Sequence, residues 1–427
     1  MRRQLRKLGQ LATPLGRHDL WLSARNRLTP QLKDAAALHR RTLGRRIRIV
    51  TVVGSFGKTN AAAAICAVLG LPPPPNSRNA GGSVALRMLR LRPWQRHAVF
   101  EVALSGPGQM APIAARVRPN LVVVTSIGSE HISSFGSLDA TQVEKGRMVE
   151  ALGPDGTAVL NHDDPRVLAM AKVARGRVIT CGLDPAADVR AADVAIDFPR
   201  GTRLTVHVGG RKLPVRLRLL GRVMVYPCLA ALAVAWAEGL PLDRAVAALE
   251  ALPPRPGRLQ LQPLPGGAWL IRDDFKSHVE TIDAALDVLD QVPGRRTVVI
   301  GSVAEVLGSQ GPIYRSIGAR LAQVASRVVV VGGRFEFRNY TRGAVRAGLP
   351  RDALIDAKHS VRTAWEAVRA DLEPGEVVLV KGRSDERLDR VALALQGRDV
   401  RCTIQSCKLN EIRCEDCPKL ATGWASL

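Results

Sequence analysis

Short β-branched apolar runs alternate with longer apolar stretches along most of this chain. Ile47, Ile49, Val50, Val52 and Val53 make the first run, which reads as a buried strand. Ala61 to Leu69 follows as a helix. Ala98 to Val102, Leu121 to Thr125 and Thr157 to Leu160 are further strands, each ending in a polar cluster. Leu204 to Val208 and Leu213 to Leu219 flank Gly209-Gly210 and predict a hairpin. Leu229 to Glu238 is an apolar helix. After the turn-rich Pro253-Pro-Arg-Pro-Gly257 the alternation resumes, with strands at 269–271, 297–300, 328–331 and 377–380. Strands that alternate with helices predict an α/β chain: a central, mostly parallel sheet domain over residues 46–256 and a smaller Rossmann-like domain over 257–400. A basic arm, residues 1–45, precedes them, and a Cys-rich tail, residues 401–427, follows.

The first strand and helix are joined by Gly54-Ser-Phe-Gly-Lys-Thr-Asn60. Strand, Gly-Lys-Thr turn and helix are the context of a phosphate loop. Gly54 and Gly57 let backbone N–H groups approach phosphate oxygens, and the helix N-terminus adds its positive dipole end. Lys58 reaches the β- and γ-phosphates in such a loop, and the Thr59 hydroxyl sits on Mg²⁺; Ser55 and Asn60 complete the candidate nucleotide contacts. The longer G-x-x-x-x-G-K-[ST] form is not met, and an ordinary Gly-rich turn is the alternative. Glu101 closes the second strand, where a buried carboxylate is costly without a cation.

Composition sharpens this reading. A net charge of +24 favours anionic partners such as nucleotides, nucleic acid or anionic lipid, although an Arg-rich codon bias gives the same number. No apolar run reaches about 18 residues, so no membrane span is expected, and the N-terminus lacks the apolar core of a secretory signal. A cytoplasmic protein with unpaired cysteines is expected. In the arm, Leu8, Leu11, Leu15 and Leu20 to Leu22 hint at short amphipathic helices; a solvated basic face, an RNA-binding arm and a membrane-surface helix all fit. Cys402, Cys407, Cys414 and Cys417 fall in a C-x₄-C-x₆-C-x₂-C pattern. A structural Zn²⁺ site is the leading reading, with free or redox thiols and an iron–sulfur cluster as alternatives.

Several motifs, in order, resemble those of the Mur ligases. Gly54-Ser-Phe-Gly-Lys-Thr59 resembles their G-T-x-G-K-T loop, Glu101-Val-Ala-Leu-Ser-Gly-Pro-Gly108 their E-M-G-x-S-x-x-G-E segment, and Thr125-Ser-Ile-Gly-Ser-Glu-His131 their T-N-I-G-x-x-H. Phe135-Gly-Ser137 and Glu144-Lys-Gly146 resemble F-G-S and the A-K-G lysine, and Asn161-His-Asp-Asp164 resembles N-x-D-D. Pro256-Gly-Arg258, Asp273-Asp274 and Val380-Lys-Gly-Arg-Ser384 resemble the hinge, the aspartate after it and the V-K-G-S-R of the C-terminal domain. Order and spacing look closest to the D-alanyl-D-alanine-adding branch, over about residues 46 to 400.

The resemblance implies an ATP-dependent ligase that activates a carboxylate as an acyl phosphate and couples it to an amine, such as an amino acid or dipeptide. It implies Mg²⁺ held by Thr59 and Glu101, and a second metal near His131 and Lys145, the lysine that is carbamylated in many members. Arg258 and Asp274 would meet the nucleotide, while Lys276, His278, Lys381 and Arg383 would face the substrates. Two segments depart from the pattern. The family's G-x-H-N-x-x-N reads Gly221-Arg-Val-Met-Val-Tyr-Pro227, and D-S-Y-N-A-N-P reads Asp273-Asp-Phe-Lys-Ser-His-Val279. The UDP-binding domain of the cell-wall members has no counterpart in residues 1–45, so another carboxylate is the expected acceptor. The competing readings are a non-catalytic nucleotide-binding or interaction protein, and an RNA- or membrane-surface binder acting through the arm.

Overall fold

The computed structural model describes residue 23 and residues 27–74, 81–306, 308–405, 407 and 412–423. Its first sheet contains β1 (Arg48–Val53), β2 (His97–Glu101), β3 (Leu121–Val124), β4 (Thr157–Asn161), β5 (Arg177–Gly182), β6 (Val189–Asp197), β7 (Gly201–Val208) and β8 (Arg211–Leu217). The order is β2-β1-β3-β4-β5-β6-β7-β8. Pairing is parallel from β2 through β6, and antiparallel between β6, β7 and β8. Helices α1 (Thr29–Arg41), α2 (Lys58–Val68), α3 (Gly81–Leu89), α4 (Met110–Val117), α5 (Ile132–Phe135), α6 (Leu138–Glu150), α7 (Pro165–Leu168), α8 (Val225–Ala237) and α9 (Leu242–Glu250) surround it.

The β-branched runs become strands because both sheet faces are covered, which is the situation that rewards continuous Val and Ile. Val50 and Val52 face the Ala-rich α2 and the apolar α8 in one core cluster. Ile49 and Val53 face Phe100, Met110 and Met148 in another. The Gly209-Gly210 hairpin forms as expected, with both glycines at positive φ (55° and 76°). Strands β5 and β6 escape the pattern reading. Their sequences, RVITCG and VRAADVAID, mix polar residues and Ala, and most of their positions are only partly buried.

The second sheet holds β9 (Gln260–Pro263), β10 (Trp269–Asp273), β11 (Arg296–Ile300), β12 (Arg327–Val330), β13 (Leu354–Asp356) and β14 (Val377–Lys381), in the order β13-β12-β11-β14-β10-β9. Only β9 is antiparallel to its neighbour. Helices α10 (Val279–Asp290), α11 (Gln310–Val324), α12 (Arg334–Arg346), α13 (Val361–Arg369) and α14 (Asp389–Leu395) flank it. The carboxyl ends of both sheets bear on one cleft, the usual ligand position in open α/β sheets. Among the described residues, no helix is long and apolar enough to cross a membrane.

The arm is not simply a solvated basic face. The leucines at 8, 11, 15 and 20–22 lie outside the described residues, but α1 docks on the first domain with Ala36 and Arg40 buried. Arg40 donates to the carbonyls of Val117, Arg118, Gly44 and Ile47, and to Asn120 Oδ1. One guanidinium thus satisfies the carbonyls at the C-terminal end of α4 and the turn before β1, at the pole opposite the cleft. An Arg40→Met variant leaves these acceptors unmet and is expected to lose roughly 2–4 kcal/mol of stability, read from the urea unfolding midpoint; an unchanged midpoint would contradict this role.

Candidate active site

The loop after β1 is a tight crossing. Gly54 has φ 141°, and a Cβ there would strike Thr125 Oγ1 at the end of β3. Gly57 caps α2 with φ 81°. Ser55 N and Phe56 N are already bonded to Ser126, so the amides left for a ligand are those of the first turn of α2. Lys58, Thr59 and Asn60 line a cleft of about 700 Å³ between the two sheets, together with Ser55, Gly57, Glu101, Glu130, Asn161 and Asp163 from the first domain. Arg258, Asp273, Phe275, Lys276 and Lys381 line it from the second.

Charge is concentrated where a phosphate chain would end. Lys58 Nζ is 2.5 Å from Glu130 Oε2 and also donates to the Gly54 and Ser55 carbonyls. Lys276 Nζ bonds the other Glu130 oxygen from across the cleft. Lys145 Nζ lies beneath the loop, 2.9 Å from Ser55 Oγ. Burial alone would raise the Glu130 carboxyl, but Lys58, Lys276 and Lys145 together hold it well below the usual carboxylate range. Burial, then repulsion from Lys58, draws the Lys145 ammonium down to about 7 and Lys276 to about 8, with Glu130 opposing both shifts.

Glu101 is buried, and among the described residues its carboxylate accepts a hydrogen bond only from Thr59 Oγ1, at 3.0 Å. A hydroxyl and a buried carboxylate, side by side at a phosphate loop, fit a Mg²⁺ that takes its remaining ligands from phosphate and water. His131, expected at a second metal, stands apart from the cleft lining. His131 caps the short α5 with φ 60°, and its Nδ1 lies 3.2 Å from Glu305. It is 37% exposed and does not line the cleft; the preceding residue, Glu130, points in instead.

Other expectations are redistributed in the same way. Asp274 turns into the second domain, where it pairs with buried Arg272 at 3.1 Å, and burial raises its carboxyl to about 6 against the pull of Arg272. Asp273 lines the cleft in its place and holds Lys381 Nζ at 2.5 Å. Arg258 stacks its guanidinium 4.7 Å from the Phe275 ring centroid. His278 begins α10 and packs on Phe56 at 5.2 Å, outside the cleft lining. Arg383 pairs with Asp385 and is likewise absent from the lining. In the altered G-x-H-N segment, Met224 Sδ accepts from Asn60 Nδ2 at 3.1 Å, and Tyr226 donates to Asp163 at 2.9 Å.

The placement of the tail cysteines lends the zinc expectation no support. Among the described residues, no group of three or more His, Cys, Asp or Glu is placed to hold a metal. Cys414 is buried with Leu393 and Leu420, and burial pushes its thiol well up. Cys402 Sγ receives Arg390 Nη1 at 3.4 Å, and the Cys407 backbone N–H bonds Asp385. Cys417 stays a free thiol like the others. What had no signal in the cysteine spacing is Arg413, which reaches the cleft from this tail.

Residues 49–235 match the model of the Mur ligase middle domain, and residues 257–384 match that of the Mur ligase, glutamate ligase domain. The UDP-N-acetylmuramoyl-tripeptide–D-alanyl-D-alanine ligase of Mycobacterium bovis is 31% identical over 389 residues, which cover 86% of this chain and 76% of that protein. The ligase of the same name from Escherichia coli is 28% identical over 357 residues, covering 82% of this chain and 77% of that protein. Among solved structures, MurF from Acinetobacter baumannii superposes with a TM-score of 0.76 at 21% identity, over 86% of this chain and 80% of that one. MurF from Thermotoga maritima in complex with ADP gives 0.74 at 21%, over 86% and 83%. These structures share the fold, and the sequence matches run through both sheets and the loop that joins β1 to α2. The chain therefore belongs to the Mur ligase family.

Proposed function

We propose that the protein is an ATP-dependent ligase that joins a carboxylic acid to an amine through an acyl phosphate. The observation that carries this is the facing of two sets of groups across one cleft. Lys58 and the first turn of α2 stand on one side, and Lys276 and the Asp273–Lys381 pair on the other. Lys58, Lys276 and the α2 amides would gather charge that develops on a transferred γ-phosphoryl group. Mg²⁺ at Thr59 and Glu101 would screen the β- and γ-phosphate oxygens. No step is assigned to His131. Phe275 offers its ring as a stacking surface for a base, with Arg258 on it. Asp273, already an acceptor for Lys381, is placed to accept from an incoming ammonium.

Lys145 supports a modification. An ammonium drawn down to about 7 is substantially neutral at neutral pH, as attack on CO₂ requires. The neutral amine nitrogen bonds the CO₂ carbon and loses a proton, which puts an anion beside Lys58. The relatives are named for a UDP-muramyl tripeptide and D-alanyl-D-alanine, so this pair is the first to try, followed by other carboxylates with amino acids and dipeptides.

Three outcomes are expected. Phosphate release from ATP rises only when both acid and amine are supplied, and Lys58→Ala lowers it by roughly 10²–10³-fold; full turnover by that variant would refute the reading. Under ¹³CO₂, a carbamate carbon resonance appears in NMR and vanishes in Lys145→Met, whereas its persistence would place it elsewhere. Stability also tracks the buried amines. A lysine with a lowered folded pKa carries its full cost below that value, and sheds it as pH rises toward the unfolded 10.5. The apo protein in CO₂-free buffer therefore gains stability from pH 7 to about 9, where the raised thiols of Cys66, Cys181 and Cys228 begin to oppose it. The urea midpoint reads this slope, and Lys145→Met flattens it.

A further inference from the structure

The tail beyond β14 is anchored by side chains that are themselves buried. Arg390, 1% exposed, donates to the carbonyls of Cys402 and Ile404 at 2.8 and 2.5 Å. Arg387 donates to the Ile412 carbonyl at 3.1 Å, and Asp389 accepts the Cys414 N–H at 3.2 Å. A buried arginine is expensive unless its donors are met, so this grip is a built feature of the second domain. It leaves the tail across the hinge that joins the domains. There Arg413 Nη1 donates to the Pro256 carbonyl at 3.2 Å, and Arg413 Nε to Glu415 at 2.7 Å. The other Glu415 oxygen takes Arg272 Nη1 at 3.1 Å. Arg272 in turn pairs with Asp274, both 2% exposed. The chain Asp274–Arg272–Glu415–Arg413 thus runs from the interior of the second domain to the cleft wall. At its end, Arg413 Nη2 makes no hydrogen bond among the described residues, and the side chain lines the cleft beside Arg255 and Arg258.

We propose that Arg413 is an oxyanion-binding residue of the nucleotide site, delivered by the tail, and that Glu415 is its positioning residue. This rests on the nucleotide reading of the cleft given above. Two guanidinium nitrogens are already used, one on the hinge and one on Glu415, so the fork is held at the cleft wall with its remaining nitrogen, Nη2, beside Gly257 of the lining. A fixed fork suits a phosphate oxygen better than a flexible ammonium does. Because Arg413 also bonds Pro256, nucleotide binding and hinge position are coupled through one side chain. The tail, on this account, is a wall of the active site rather than a metal-bound appendage.

The test compares full-length wild type with Arg413→Ala, Arg413→Lys and Glu415→Gln by calorimetric titration with Mg-ATP and, separately, adenosine; the thermal midpoint monitors folding. Arg413→Ala is expected to weaken Mg-ATP binding about tenfold and leave adenosine unchanged. Arg413→Lys recovers part of the loss, because it keeps the charge without the fork. Glu415→Gln weakens Mg-ATP by a smaller factor at unchanged adenosine affinity. Equal losses for both ligands would mean that Arg413 only shapes the wall, and undiminished Mg-ATP binding would remove it from the site; either result overturns the proposal. Wild type that fails to bind Mg-ATP would sink the nucleotide reading and this inference together, whereas wild-type binding that Arg413→Ala does not diminish sinks only the inference.

Discussion

One buried carboxylate sets the terms for the cleft. Glu130 stands among Lys58, Lys276 and Lys145, two of them from the first domain and one from the second. Three ammonium groups this close would repel one another strongly in a low-dielectric pocket without an anion between them. The need for that anion also explains what a triphosphate would gain here. Its terminal oxygens can take over the same cations, so the ligand enters a site whose charges are already gathered and fixed. The arrangement would thus meet a phosphoryl group with its cations already in place, at the standing cost of two lysines held far from their ordinary pKa.

The parts of this arrangement that are local in sequence were legible there. A strand, a Gly-Lys-Thr turn and an Ala-rich helix are contiguous, and the structure keeps them together with Glu101 against Thr59. Two of the expected positions are displaced by one residue. His131 adopts a left-handed backbone conformation and swings out, while Glu130 swings in. Asp274 and Asp273 sit at the end of β10, where successive side chains point to opposite sides, so only one of the pair can face the cleft. Strand alternation counted forward from Trp269 was the available signal for that choice.

Non-local facts were not legible. Nothing in the residues around 130 announces a lysine 146 positions away, and nothing in a four-cysteine pattern announces that an arginine between them reaches the cleft. The spacing of the tail cysteines resembled a ligand set because spacing is all that sequence offers. In three dimensions the segment is placed by Arg390, Arg387 and Asp389, and Cys414 serves as a small apolar residue under it. Arg40 is a similar case at the other end: in sequence one more cation in a basic arm, in space the hub of a carbonyl cluster.

Around the cleft the seam between the domains is stitched by polar contacts. Ser129 donates through N and Oγ to Glu280, Lys276 meets Glu130, and the His131 N–H meets Glu305. Elsewhere the seam is apolar: Phe198 meets Trp269 edge-on at 5.6 Å, and one core cluster carries Leu220 and Met224 together with Ile282 and Val288. The stretch around the cleft loosens with ionic strength, because dissolved ions compete for each charged stitch.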